Sequence, residues 1–149
     1  MSKKYLNDDI EARTLYKWED QYIRNRLGRK VSLQEARKII KSIFDNRKFC
    51  KTKIDFRFLE VDILELPYRT KTYGTADLYT IKLDRYVPLF VVLHELAHSI
   101  TMTYNVDENH GALFLGIYLK IIAAYLGINK NIMINIGCRS KFEITRMAW

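Results

Sequence analysis

The sequence predicts one α+β domain, and three observations carry that expectation. Apolar residues recur at helical spacing over the first part of the chain. The period drops to two from Ile54. Two long apolar stretches, 87–104 and 110–126, then return to a helical pattern. The expected order is an N-terminal helical hairpin, a small β-sheet, a helix carrying two histidines, and a second apolar helix carrying a third. At 149 residues the chain matches one ordinary domain, long enough to bury a core without staples. With only 2 Pro and 6 Gly, and no repeat or linker composition, 1–149 reads as a single folded unit.

The first helix is expected over Asp8–Leu27, where Ile10, Leu15, Trp18, Tyr22 and Ile23 recur at three to five positions; Gly28 supplies a stop. The second begins with a capping box, Ser32 with Glu35 three residues on. Its apolar face is Leu33, Ala36, Ile39, Ile40, Ile43 and Phe44. Ile54, Phe56 and Phe58 alternate with Asp55, Arg57 and Leu59 as a strand does. Pro67 and Gly74 bracket a loop or hairpin, and Leu78–Leu83 reads as another strand. Pro88 suits the first turn of a helix running from Val87 to about Tyr104. Asn105–Asn109 is a polar connection, and His110–Leu126 is an apolar helix ended by Gly127. For Ile132–Ile136 the pattern allows a short strand or a packed segment.

The first twenty residues are charged throughout and lack the apolar core of a signal peptide, and no apolar stretch here is long enough for a membrane span. Cys50 and Cys138 stand 88 positions apart without C-x-x-C pairing, which fits two free thiols in a reducing compartment. A cytoplasmic location is expected, or association with a virion if the chain is phage-encoded.

The chemistry concentrates in Val91-Val92-Leu93-His94-Glu95-Leu96-Ala97-His98. Residues four apart share one helix face, so His94 and His98 offer two imidazoles to one metal ion. Glu95, beside the first ligand, is placed to take a proton from water, as in the H-E-x-x-H arrangement of zinc hydrolases. A catalytic zinc needs a third protein ligand and one open position. The chain has 3 histidines, and the remaining one is His110. The expected set is therefore one Zn2+ held by His94, His98 and His110, with Glu95 as general base. Glu108 is the lesser candidate for third ligand. Thr101 and Tyr104 stand where a metzincin has Gly and His. Tyr73, Tyr79 and Arg85 are candidates for a further donor to the substrate.

The run His94-Glu95-Leu96-Ala97-His98, a short polar connection, and His110-Gly111-Ala112-Leu113-Phe114 resembles the SprT-like metallopeptidases, the family that includes the Spartan DNA–protein crosslink proteases. The stretch from Gly74-Thr75-Ala76 through Ile81-Lys82-Leu83 resembles the strand ahead of the metal helix in small bacterial and phage proteins of this type. The resemblance covers residues 73–126. It implies a zincin-like fold, zinc on His94, His98 and His110, Glu95 as base, and a protein or peptide substrate near DNA. Two departures stand out: Ala112-Leu113 replaces the Pro-Glu that follows His-Gly in the family, and Cys138 alone cannot form the zinc ribbon of many relatives. A different reading is a non-catalytic, zinc-stabilised structural or binding protein, such as a phage virion or accessory component. A third is a hydrolase of a non-peptide amide.

Charge divides the chain into a basic helical region, 1–50, and a sheet and metal-binding core, 54–126. Residues 1–57 hold 16 Lys and Arg against 8 Asp and Glu, whereas residues 58–149 hold 9 of each, so the net +8 lies in the first part. Such a segment suits either an anionic partner, nucleic acid above all, or a solvated helical surface. In the first case Arg26, Arg29, Lys30, Lys38 and Lys41 are the candidate contacts. Tyr16, Trp18 and Tyr22 are then either base-stacking residues or hairpin packing.

Overall fold

The computed structural model describes residues 13–46, 62–66, 74–78, 80–104 and 110–139, with backbone only at 130 and 137–139. Within these residues the architecture is α+β, with five helices and two small sheets. Helix α1 spans 13–27 and contains a π-helical turn at Glu19–Ile23. Strand β1 (Lys30–Ser32) leads into α2 (Leu33–Phe44). Strands β2 (Asp62–Glu65), β3 (Gly74–Ala76), β4 (Thr80–Leu83) and β5 (Tyr86–Pro88) follow, then α3 (Leu89–Met102), α4 (Ala112–Leu126) and α5 (Lys130–Arg139).

Two apolar helices make the centre. Along α3, ten residues on all sides of the helix are buried, among them Leu89, Leu93, His94, Ala97 and Ile100. Every residue of α4 from Leu113 to Ala123 is buried as well. A helix that is apolar all round must be enclosed by other elements. Here α3 and α4 pack most extensively on each other, and α2, α5 and the strands cover what remains. The buried hydrophobic residues form one cluster running from Leu15 to Met133.

The larger sheet has the order β2–β4–β3, with β2 parallel and β3 antiparallel to β4. Ile81 and Leu83 of β4 are buried while Thr80 and Lys82, which alternate with them, are half-buried, so one face of the sheet packs onto α3. Ser99 of α3 donates its hydroxyl to the Leu78 carbonyl at 2.9 Å, tying α3 to the β3–β4 turn. The smaller sheet pairs β1 with β5, Val31 opposite Val87, and the Leu89 amide extends it by donating to the Arg29 carbonyl at 2.9 Å.

Several expectations change here. The N-terminal helices do not form a simple hairpin: β1 lies between them, and each packs against the central helices. The cap on α2 is present, since the Glu35 amide donates to Ser32 Oγ at 3.2 Å. The Glu35 carboxylate, however, takes Arg29 Nη1 at 3.0 Å. Pro88 ends β5 and caps α3 rather than lying inside its first turn. Residues 132–136 belong to a helix, not a strand. The expected strand at 54–59, the connection 105–109 and the segment 142–149 lie outside the described residues. Among the described residues no helix is long and apolar enough to cross a membrane.

Gly127 stops α4 as expected, at φ 65°, with its amide bonded to the Ala123 carbonyl. An added Cβ there meets nothing within 4 Å, so any cost of replacing it comes from the backbone alone. Gly127→Ala is expected to lower the unfolding free energy by about 1–2 kcal/mol. Gly127→Asn is expected to cost less, because asparagine tolerates the left-handed region. Urea unfolding of the three proteins measures this, and an alanine variant as stable as wild type would remove the backbone explanation.

Candidate metal centre

His94 and His98 stand one turn apart on the buried α3, and His110 lies two residues ahead of α4, before an extended Gly111 that caps that helix. The antiparallel approach of α3 and α4 brings the three rings together. Their Nε2 atoms are 3.1 Å (His94–His98), 3.1 Å (His98–His110) and 3.3 Å (His110–His94) apart. Nitrogens bound tetrahedrally to zinc at about 2.0–2.1 Å lie roughly 3.3 Å from one another. The three atoms thus have the spacing of one face of a zinc site. Among the described residues no fourth His, Cys, Asp or Glu joins the group.

The rings sit in an aromatic box. Phe114 packs on His98 with ring centroids 4.3 Å apart and on His110 at 5.1 Å, and Tyr118 lies 5.4 Å from His94. Phe114 and Tyr118 stand four positions apart on α4, which directs both at the site. Burial in these surroundings, reinforced by the charge of His94, lowers the pKa of His98 to about 2 and that of His110 to about 4. Both are therefore neutral near pH 7, the charge state in which an imidazole ligates a metal.

His94 is held from behind. Its Nδ1 is 2.9 Å from Glu19 Oε1, and Tyr118 donates its hydroxyl to the same oxygen at 2.7 Å. A carboxylate oxygen can only accept, so Nδ1 carries a hydrogen and Nε2 is the nitrogen that faces the other two rings. Glu19, from the π-turn of α1, is 3% exposed. From the front, Tyr16 of the same helix stacks over His94 with centroids 6.3 Å apart and planes at 19°, and meets His110 edge-on at 6.1 Å. Tyr16 is 50% exposed. Partial burial, together with the charges of Glu19 and Glu95, raises its pKa, so the hydroxyl keeps its proton.

Glu95 is half-buried and follows His94 on α3. Burial raises its pKa, His94 opposes this and Glu19 adds to it. Strand β3 runs close alongside. A Cβ at Gly74 would stand 2.9 Å from Leu83 Cδ2 and 3.1 Å from Glu95 Cγ, so glycine permits this approach to Glu95.

No family model, curated protein or solved structure matches this chain. The candidate metal site accordingly stands on its own geometry.

The three expected ligands meet, and Glu95 is beside them. Glu108, Tyr73 and Tyr79 lie outside the described residues. Arg85 is exposed and faces Glu65 at 3.6 Å. Arg26, Arg29, Lys30, Lys38 and Lys41 are all exposed, but Arg29 is engaged by Glu35 and by the Tyr125 hydroxyl at 3.5 Å. Trp18 is 3% exposed and so packs in the core instead of stacking on bases; Tyr22 is exposed, and Tyr16 covers the histidines. Reading the sequence missed Glu19, Phe114 and Tyr118. One signal was available: Leu15, Glu19, Ile23 and Leu27 form a step-of-four stripe in which Glu19 is the lone polar member.

The depressed histidines set a pH dependence for protein kept free of metal by a chelator. Unfolded histidines take up protons at about pH 6.5. Folded His98 and His110 resist until about 2 and about 4, so between these limits the unfolded chain binds more protons and stability falls as pH falls. Denaturant unfolding is expected to show a loss of stability from about pH 7 to about pH 5. A flat or rising profile would contradict the buried, neutral cluster.

Proposed function

We propose that this chain is a zinc-dependent hydrolase, a SprT-like endopeptidase with a zincin-like fold that acts on protein or peptide substrates. The observation that carries the reading is the convergence of three histidine Nε2 atoms within 3.1–3.3 Å beside a half-buried Glu95. Three protein ligands with no fourth among the described residues match a catalytic zinc better than a structural one, which closes its shell with four. A purely structural site also has no use for a base. These two points favour the hydrolase over a zinc-stabilised scaffold.

When bound, zinc supplies Lewis acidity and lowers the pKa of water toward 7. The residues of the chain do the rest. Glu95 takes the proton of the attacking water and returns it to the leaving amine; its raised pKa brings the carboxyl closer to the range where it can do both near neutrality. Tyr16 offers a protonated hydroxyl at the exposed side of the cluster, where a substrate carbonyl develops negative charge.

Glu95→Gln is expected to retain about one zinc per chain and the wild-type fold while losing ~10²–10⁴-fold in peptide hydrolysis. His98→Ala is the control that loses the metal. Metal analysis and a broad proteolysis assay, with and without DNA, measure both. Hydrolysis undiminished in Glu95→Gln would end the mechanism, and zinc-loaded wild type inert on every substrate would favour the scaffold.

The exposed Arg26, Lys30, Lys38 and Lys41 support an attraction to nucleic acid that brings substrate near. DNA affinity is then expected to fall steeply with added salt, and neutralising these four together to weaken binding at every sequence without changing zinc content. An anisotropy titration at low salt that detects no binding at micromolar protein would remove DNA as a partner.

A further inference from the structure

A carboxylate in the middle of an apolar helix stripe costs free energy unless it has a use. In α1 the residues Leu15, Glu19, Ile23 and Leu27 all point inward, four positions apart, and all are buried. On a regular α-helix each step of four advances about 40° around the axis, so such a stripe would wind off the core within three steps. The π-helical turn at Glu19–Ile23, closed by the Arg24 amide on the Glu19 carbonyl, takes up that advance. The turn therefore brings Glu19 to the His94 ring while Leu15 and Leu27 stay packed.

At that position Glu19 Oε1 accepts from two buried donors, His94 Nδ1 at 2.9 Å and Tyr118 Oη at 2.7 Å. Tyr118 is fully buried and anchors the carboxylate from α4, while His94 lies on α3. One oxygen thereby ties three helices together directly behind a metal-facing ring. A carboxylate at the far nitrogen of a ligating histidine orients the ring and makes its other nitrogen a better donor.

We infer that Glu19 is a positioning residue of the metal centre, holding His94 with Nε2 toward the metal and raising the affinity of the site for zinc. This rests on the metal reading above but not on catalysis. It also makes α1, from the basic part of the chain, a component of the metal site. The purely structural alternative is that Glu19 only fastens α1 to Tyr118.

Glu19→Gln separates the two, because the amide oxygen can still accept from both donors while the charge is gone. Competition with a chromophoric chelator is expected to show Zn2+ bound about 10–100-fold more weakly by Glu19→Gln, at unchanged stoichiometry and with native circular dichroism. Glu19→Asp, which keeps the charge but shortens the reach, is expected to fall between wild type and Glu19→Gln. Tyr118→Phe removes the second donor and leaves the carboxylate on His94, so its zinc affinity is expected to stay within a few-fold of wild type. Nitrogen-15 spectra of wild-type histidines are expected to show His94 protonated at Nδ1, a measurement that stands even if Glu19→Gln does not fold. Equal zinc affinity in Glu19→Gln and wild type, or a His94 protonated at Nε2, would overturn the inference. A wild type that binds no zinc would overturn the metal reading along with it.

Discussion

Three imidazole nitrogens held 3.1–3.3 Å apart in a buried site repel one another unless a cation or a shared proton stands between them, and much of the molecule is arranged around that constraint. The rings come from α3 and the approach to α4, two helices buried over most of their surface. Enclosing α3 and α4 against each other buries the histidines as a consequence. Burial in turn keeps His98 and His110 neutral, since a charged imidazole there would lack solvation. The arrangement is costly as a bare polar cluster and is able to hold one metal ion.

Around that centre the elements take distinct parts. The approach to α4 supplies His110, and the first two turns of α4 supply Phe114 and Tyr118, which wall the site and anchor its hydrogen bonds. α1 brackets His94, with Glu19 behind the ring and Tyr16 over its open face. The three-stranded sheet carries Gly74 against the side chain of Glu95, and Ser99 holds the metal helix to the adjoining turn. The N-terminal region is thus more than a charged appendage: it completes the surroundings of the ligands.

The parts of this centre legible in the sequence were those set by short-range periodicity. His94, Glu95 and His98 follow from one turn of helix, and Gly127 and Ser32 mark helix ends through local backbone chemistry. The short strands β1, β2, β3 and β5 were not legible, because three or four residues carry too little pattern and are fixed by their partners. The basic residues show the same boundary. Their exposure was foreseeable from composition, but the pairing of Arg29 with Glu35, or of Arg37 with the Ile63 carbonyl at 2.8 Å, depends on which surfaces meet.

By itself, then, the sequence determined the α+β class, the metal helix and the identity of the three histidines, because helical spacing and side-chain chemistry are properties of adjacent residues. Only the tertiary structure decided that the three Nε2 atoms share one point, and that Glu19, 75 positions before His94, stands behind it. That partnership requires a widened turn in α1 and the docking of three helices. Neither leaves a local trace beyond one carboxylate where an apolar residue was due.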